Sequence, residues 1–347
     1  MMAAAIVRQA DLADAAEVQR IEDYVARIAG TPFHRPAWLK AIEQGTGQAA
    51  LGLIAEDARE ICGWLPLTLV HSPIFGRVLA SSGFAVGGGV LSRDEAAAKS
   101  LCRTAERLAT QLSCPAIELR GGVAPRDWHH VTDSHCGFVG ALAADDDAQL
   151  TAIPRKQRAE VRKGLKADLS VTIGTDEAER AAHYAVYAES VRNLGTPVFP
   201  RALFDAVLDR LDADILTVRH QGEPVASVLS LYHGGAVMPY WGGGTYAARV
   251  LRANDRMYFA LMCHARARGC QLFDFGRSKT GSGPYHFKRN WGFDPEPLSY
   301  ASWTAPGAEK RDVNPTSGKH VARIALWKKL PLPVANLLGP WIARGLG

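Results

Sequence analysis

The sequence repeats one order of secondary-structure signals in its two halves. In each half a β-rich stretch runs into three glycines, then into an amphipathic helix pattern and a short strand. Glu118 follows Gly87 by 31 positions in the first half, and Asp274 follows Gly242 by 32 positions in the second. Self-similarity of this kind predicts two copies of one supersecondary unit.

Both copies are predicted to be α/β (α+β) units in which helices cover a mostly antiparallel sheet. The first copy carries strands between Ile61 and Val86 and a helix that a capping box over Ser92–Glu95 begins. The second carries a hairpin turn at Gln221-Gly222 and a helix from about Asn254 to Arg268. The pattern therefore favours two similar α/β domains over one large one.

Two breaks in the pattern suggest where the domains end. The acidic run Asp145–Asp147 and Ile153-Pro154 mark a boundary between the copies, and the stretch Pro306–Thr316, with its prolines and charges, is predicted to be a linker into a C-terminal tail. We expect an N-terminal domain at residues 1–150, a C-terminal domain at 151–296, and a final segment at 297–347 that holds a linker and a tail.

Composition excludes several classes of protein. The chain has 347 residues, 47% hydrophobic and 22% charged, and a formal charge of +5, which is too mild to indicate nucleic-acid binding by itself. Six cysteines lack a C-x-x-C pair, which fits reduced thiols in a cytoplasmic protein. No apolar run approaches the roughly 20 residues that span a bilayer, so we expect no transmembrane segment.

The stretch 273–293 holds the densest set of residues with chemical potential. Asp274 ends a predicted strand, where a carboxylate can orient a partner or accept a proton. A glycine-rich loop with Arg277 and Lys279 follows, and its bare backbone can approach an anionic ligand closely. The alternative for Asp274 is a structural carboxylate that caps the loop backbone.

Lys288 lies between Phe287 and Trp291, an apolar neighbourhood for a charged side chain. Such a lysine can stabilise a developing oxyanion or a phosphate. The alternative is a side chain that lays its apolar stem over a hydrophobic surface and keeps its ammonium in water.

A basic helix begins after Pro154. Arg155, Arg158 and Arg162 recur at i, i+3 and i+7 and so share one face, which suits a clamp for phosphates or a nucleic-acid backbone. A solvated helix face explains the same charges equally well. The histidines and cysteine between His129 and Cys136 fit no familiar zinc spacing, so no metal is expected there. No cofactor is expected either.

The tail candidate Val321–Leu330 combines apolar residues with cations. Docking onto the body of the protein is the default for such a helix, and a peripheral contact with the inner face of the membrane is the alternative.

The order Phe273-Asp274-Phe275-Gly276-Arg277-Ser278…Phe287-Lys288…Trp291-Gly292-Phe293 resembles the FemAB/FemX-type aminoacyltransferases. The likeness is greatest to their relatives associated with the exosortase/PEP-CTERM system. An aromatic segment from Thr31 to Trp38 and the basic helix from Ile153 to Lys163 are similar to further segments of that family. The resemblance covers about residues 5 to 303.

This resemblance implies two tandem GNAT-like (acyl-CoA N-acyltransferase-like) domains and N-acyl transfer to an amine. Characterised members take an amino acid from aminoacyl-tRNA and add it to a peptidoglycan precursor that carries a diphosphate. The family's lysine maps onto Lys288, which is implied to meet the tRNA acceptor end and to stabilise charge in the transition state. The segment from Pro297 to Trp303 is implied to return to the N-terminal domain.

Residue roles follow from the motif and the resemblance together. Lys288 is the candidate for oxyanion stabilisation and Asp274 for amine orientation or proton acceptance. The candidate substrate-binding residues are Arg155, Arg158, Arg162, Tyr240, Arg277, Lys279, Tyr285, Phe287 and Trp291. One departure bears on the donor: Arg252 stands where acetyl-CoA-dependent enzymes commonly carry a glycine that cradles the pyrophosphate, which disfavours CoA.

Three functions are compatible with the sequence. The first is an aminoacyl-tRNA-dependent transferase acting on a phosphate-bearing envelope or exopolysaccharide precursor. The second is a CoA-dependent N-acyltransferase of the same fold. The third is a non-catalytic component of an exosortase or polysaccharide assembly.

Overall fold

The computed structural model describes residues 5–58, 60–308 and 324–347, and contacts divide this part of the chain into two compact units. The first unit comprises residues 5–133, 298–308 and 341–347 within the described ranges. The second comprises residues 134–297 and 324–340. Each unit is built around its own sheet.

The first unit contains three α-helices and a 3-10 turn among its described residues. The helices are α1 (Ala15–Arg27), α2 (Pro36–Thr46) and α3 (Glu95–Gln111), and the turn is Pro32–His34. The strands are β1 (Ile6–Gln9), β2 (Ala49–Asp57), β3 (Glu60–Ser72), β4 (Gly76–Ser81), β5 (Leu91–Ser92), β6 (Ala116–Arg120), β7 (His129–Val131) and β17 (Tyr300–Thr304). Their order is β1-β2-β3-β4-β6-β17-β7, with β5 beside β3.

Helix α3 shows how the sequence directs this unit. The Asp94 side chain accepts hydrogen bonds from the backbone of Ala96 and Ala97, so the cap is Asp94 and the predicted box at Ser92–Glu95 is displaced by two residues. Leu101 and Ala105 lie on one helical face and are fully buried against the sheet. Their three- and four-residue spacing is the periodicity that predicted the helix.

The second unit contains seven α-helices among its described residues before position 324. They are α4 (Asp146–Ala152), α5 (Arg155–Lys166), α6 (Glu177–Leu194), α7 (Arg201–Arg210), α8 (Tyr246–Leu251) and α9 (Ala253–Ala267), and α10 (Gly283–Asn290) follows the sheet. The strands are β8 (His135–Gly137), β9 (Val139–Ala141), β10 (Ser170–Gly174), β11 (Ala213–His220), β12 (Glu223–His233), β13 (Ala236–Gly244), β14 (Leu272–Asp274), β15 (Ser278–Lys279) and β16 (Glu296–Pro297). A tail helix spans Leu332–Ala343.

The two sheets share one topology, which confirms the predicted α/β fold class. The main sheet of the second unit runs β10-β11-β12-β13-β14-β9, and β13 pairs with β14 in parallel as β4 pairs with β6. The predicted hairpin turn at Gln221-Gly222 joins β11 to β12, and both residues have positive φ, 52° and 86°. Strands β8, β15 and β16 form a separate small sheet.

Each sheet is completed by a strand from a distant part of the chain. Strand β17 pairs with β6, as the resemblance implies for this segment, and β9 pairs with β14. The predicted boundary lay at residue 150, whereas the observed units divide between residues 133 and 134. The reason is that β8 and β9 pair with strands of the second unit before the acidic run begins.

Part of the predicted final segment lies outside the described residues. This holds for residues 309–316 of the linker candidate and for Val321–Arg323 of the tail candidate. Among the described residues, no helix combines the length and the apolar content needed to cross a membrane.

Candidate functional site

A cavity of about 850 Å³ opens in the second unit where β13 ends. Its wall is formed by the last turn of α6, the glycines 242–244, the first residues of α8 and α9, and one side of α10. A side chain on Gly243 would place its Cβ 2.4 Å from Ser190 Oγ, so glycine is required there for α6 and β13 to approach. The three glycines that marked the sequence repeat thus help to shape the cavity.

Lys288 lies in the wall of this cavity, on helix α10. Ser282 caps the helix by accepting a hydrogen bond from the Tyr285 backbone. The Lys288 side chain is 9% exposed, and its Nζ donates to the carbonyl oxygens of Gly276 (3.1 Å) and Arg277 (2.9 Å). Burial lowers the pKa of Lys288 to about 8, against the opposing influence of Asp274.

An ammonium group has three N–H donors, and these two carbonyls are the hydrogen-bond acceptors that Lys288 has among the described residues. Its Nζ also lies 5.4 Å from the ring centre of Phe138 and 5.7 Å from that of Phe275. One donor is therefore left for a ligand in the cavity, next to aromatic faces that favour a cation.

Asp274 braces the loop that holds Lys288. Its Oδ1 accepts a hydrogen bond from the Gly276 backbone at 2.8 Å, and Gly276 has φ 68°, a conformation that glycine favours. Burial raises the pKa of Asp274, which the hydrogen bond from Gly276 and the charge of Lys288 partly oppose. The carboxylate caps the loop backbone and is not among the residues that line the cavity, so its predicted role toward the amine stays a prediction.

The aromatic residues of the motif mainly pack on one another. Phe275 lies 4.8 Å from Tyr258 and 5.0 Å from Phe273, measured between ring centres, and Trp291 is 3% exposed. Phe287 lines the cavity, whereas Trp291 does not. This cluster fixes α10 on the sheet and thereby sets the position of Lys288.

The remaining polar candidates, three from the stretch 273–293 and Tyr240 from β13, are not among the residues that line the cavity. Tyr285 packs its ring against Phe138 at 5.5 Å, and Tyr240 packs against Trp241 at 4.7 Å. Lys279 pairs in β15 with His135 of β8. Burial, Arg277 and Lys279 together lower the pKa of His135 to about 4, which shows that these cations lie beside the small sheet.

Helix α5 presents a basic surface, defined here as Arg155, Arg158, Arg162, Lys163 and Lys166. These residues line a hollow of about 360 Å³, so the structure brings the three predicted arginines together. Lys163 pairs with Glu160 and Arg158 donates to the Thr151 carbonyl. The opposite face of α5 is buried, which leaves the basic surface directed to solvent.

The buried face of α5 covers the first turn of α9. Gln157 donates to Asp255 Oδ1 at 2.5 Å, and a Cβ on Gly164 would lie 2.8 Å from the Arg252 carbonyl oxygen. Arg252 has φ 55°, a left-handed conformation that glycine favours, and its side chain pairs with Glu160 at 2.7 Å. Burial raises the pKa of Asp255. A helix N-terminus covered in this way is a poor anion site.

Several polar residues of the cavity wall were not predicted from the sequence. Arg192, Thr245 and Asn254 each have one buried polar side-chain atom without a hydrogen-bond partner among the described residues. Glu189 accepts a hydrogen bond from the Tyr246 backbone at 3.1 Å. For Glu189 and Arg192 the sequence offered one signal. Gly195, which ends α6 in a left-handed conformation, marks the helix end that carries both residues.

Comparisons with known proteins agree with this architecture. Residues 154–289 match the protein family described as an acetyltransferase (GNAT) domain, and no curated protein matches the chain in sequence. A structure of FemX is 15% identical, with a TM-score of 0.65 over 82% of this chain and 95% of that one.

Two further solved structures have the same fold. The C-terminal domain of a putative lysylphosphatidylglycerol synthetase from Agrobacterium fabrum is 13% identical, with a TM-score of 0.55 over 83% of this chain and 92% of that one. A tandem GNAT protein from the clavulanic acid biosynthesis pathway is 12% identical, with a TM-score of 0.58 over 88% of this chain and 100% of that one. The chain therefore consists of two GNAT-like domains and is an acyltransferase.

Proposed function

We propose that the protein transfers an aminoacyl group from aminoacyl-tRNA to an amine on a phosphate-bearing precursor of the cell envelope or of an exopolysaccharide. The observation that carries this proposal is Lys288, a buried lysine whose Nζ is fixed by two carbonyls in a cavity wall. The sequence resemblance to FemAB-related proteins and the fold shared with FemX support the donor and acceptor classes.

The chemistry required of this site is modest. The carbonyl of an aminoacyl ester is already activated, so the amine attacks it directly and a tetrahedral oxyanion forms. The charged Lys288 stabilises that oxyanion. Collapse of the intermediate forms the amide bond, breaks the ester bond and releases the ribose hydroxyl of the tRNA, which takes up a proton.

The attacking amine must lose a proton, and Glu189 is the carboxylate in the cavity wall. We assign proton acceptance to Glu189 and a positioning role to Asp274, which holds the Gly276 turn and thereby an acceptor of Lys288. Asp274→Asn preserves the acceptor oxygen and removes the ability to take up a proton, so it separates the two roles. If Asp274 only positions the turn, the variant keeps most of the activity; if Asp274 is the base, the variant loses it.

Two features of α5 favour a tRNA donor over CoA. Its basic surface offers five cations to a nucleic-acid backbone. Its other face covers the first turn of α9, the second helix after β13, where a CoA pyrophosphate would otherwise meet free backbone N–H groups. Acyl-CoA is the second candidate donor, because residues 154–289 match an acetyltransferase domain.

The test supplies the purified protein with tRNA charged with labelled amino acids, or with labelled acyl-CoAs, and with amine acceptors that carry a diphosphate. We expect label to move from tRNA to an acceptor, and Lys288→Met to reduce the rate by about 10²–10³. Transfer from acyl-CoA with none from tRNA would replace the first donor by the second. Full physiological function of Lys288→Met would favour a non-catalytic component instead.

The basic surface needs a separate variant. Arg155→Glu combined with Arg162→Glu is expected to raise the KM for charged tRNA and to weaken its salt dependence, while the rate at saturating donor stays near that of the wild type. Lys99→Glu, on an exposed position of α3, is the matched control for charge reversal. Equal KM values for the control and the double variant would remove the basic surface from donor binding.

A further inference from the structure

The tail helix has an unusual distribution of side chains. Its buried positions are small, Ala335, Gly339 and Ala343, which follow one another at four-residue steps. The large apolar residues point the other way: Val334, Leu337, Leu338 and Trp341 are 40%, 78%, 43% and 49% exposed. They stand at i, i+3, i+4 and i+7 and therefore form one face.

Close contact with a segment of the second unit explains the glycine at position 339. A Cβ on Gly339 would lie 3.0 Å from the backbone nitrogen of Val198, so the helix lies tightly against that segment. The orientation is the reverse of an ordinary surface helix, in which bulky apolar residues face inward and polar residues face solvent. The outer face, defined as Val334, Leu337, Leu338 and Trp341, is thus exposed apolar surface of the kind that marks an interaction site.

The charges around this face indicate what it contacts. Residues 324–347 contain Lys328, Lys329 and Arg344 and no Asp or Glu. All three cations are exposed, two before the helix and one after it, and Leu326, next to the lysines, is 66% exposed. An apolar face bounded at both ends by cations is complementary to a membrane surface with anionic headgroups.

The dimensions of the helix fit a position in the plane of the interface. Twelve residues extend over about 18 Å, which is too short to span the hydrocarbon core of a bilayer. Tryptophan and leucine on one face are the side chains that such interfacial helices insert, and lysine and arginine reach the headgroups.

We propose that the outer face of the tail helix docks the protein on an anionic lipid bilayer. The proposal is independent of the acyl donor and acceptor. It would place the second unit, whose residues the helix packs on, at the membrane surface, where precursors with lipid carriers are accessible.

Co-sedimentation with vesicles tests the proposal on the full-length protein. Wild type is expected to bind vesicles that contain about one third phosphatidylglycerol and to bind pure phosphatidylcholine vesicles at least fivefold more weakly. Leu337→Ser combined with Trp341→Ser is expected to reduce partitioning by more than about tenfold. Ile6→Ser, at a position 72% exposed in β1, is the matched control and keeps wild-type binding.

A second pair of variants leaves the helix itself unchanged. Lys328→Glu combined with Lys329→Glu is expected to weaken binding to anionic vesicles by about fivefold per lysine and to leave the thermal unfolding midpoint unchanged. Wild-type binding by both double variants, or no preference of the wild type for anionic vesicles, overturns the proposal. It is also overturned if sedimentation velocity shows a dimer that the Leu337→Ser, Trp341→Ser variant loses, because a second copy then covers the face.

Discussion

Replacing Lys288 by methionine tests the central feature of the site, a lysine that burial destabilises in its charged form. The side chain is 9% exposed, and burial lowers its pKa from 10.5 to about 8. Methionine has a similar length and no charge, so it keeps much of the packing and removes the titration. The expected consequence is a change in how the free energy of unfolding depends on pH.

The sign and size follow from the shift in pKa. Between pH 8 and pH 10.5 the unfolded lysine binds a proton that the folded lysine has released, so the free energy of unfolding of the wild type rises with pH. The full shift corresponds to about 3 kcal/mol, of which about 1.4 kcal/mol develops between pH 7 and pH 9. The variant also loses the two hydrogen bonds to carbonyls, each worth about 1 kcal/mol. This loss changes the difference in free energy of unfolding between variant and wild type by a nearly constant amount and leaves its dependence on pH nearly unaltered.

Urea unfolding at pH 7, 8 and 9 measures the difference between Lys288→Met and wild type. The free energy of unfolding of the variant minus that of the wild type is expected to decrease by about 1.4 kcal/mol from pH 7 to pH 9. Lys99→Met removes an exposed lysine and is the matched control for the loss of one positive charge. A difference that stays constant within about 0.5 kcal/mol from pH 7 to pH 9 would refute the reasoning, because it would mean that folding does not lower the pKa of Lys288.

Two further predictions concern the packing of the second unit. Gly164→Ala is expected to cost about 1–3 kcal/mol in urea unfolding, because its Cβ would lie 2.8 Å from the Arg252 carbonyl oxygen, whereas Gly283→Ala, with open space around its Cβ, should be tolerated. Burial lowers the pKa of His183 to about 3, so between about pH 6.5 and pH 3 the unfolded state binds a proton that the folded state does not, and the free energy of unfolding decreases by about 1.4 kcal/mol for each unit by which the pH is lowered. His183→Phe should flatten this acid limb, and an unchanged slope would contradict it.

Sequence patterns predicted those elements whose signal is local. Helix α3 has a capping aspartate and a regular apolar face, and the turn at Gln221-Gly222 contains a glycine where positive φ is needed. Helix α6 was missed for a physical reason. It buries Ala182, His183 and Val191, with polar and apolar residues mixed around its circumference, so no single stripe marks it. Its helical state depends on packing against β12 and β13.

In the candidate site too, only residues with a local signal could be predicted from the sequence. Lys288 could be identified because a lysine between aromatic residues is unusual in any context. Arg192 and Arg249 could not, because they join the cavity only when the ends of α6 and β13 and the start of α8 meet. Asp274 shows the limit of a motif: its position at a strand end allowed a catalytic or a structural role, and the sequence revealed neither the hydrogen bond that it accepts from Gly276 nor its place outside the residues that line the cavity.

The pairing of β6 with β17, a strand from a distant part of the chain, has a consequence for synthesis on the ribosome. Strand β6 emerges early, but its antiparallel neighbour β17 is made only after the entire second sheet. The nascent first sheet therefore waits with an unpaired edge beside β6, the kind of edge that promotes association with other chains. A protein released before residue 300 would keep that edge open, so premature termination is expected to yield aggregation rather than a stable half.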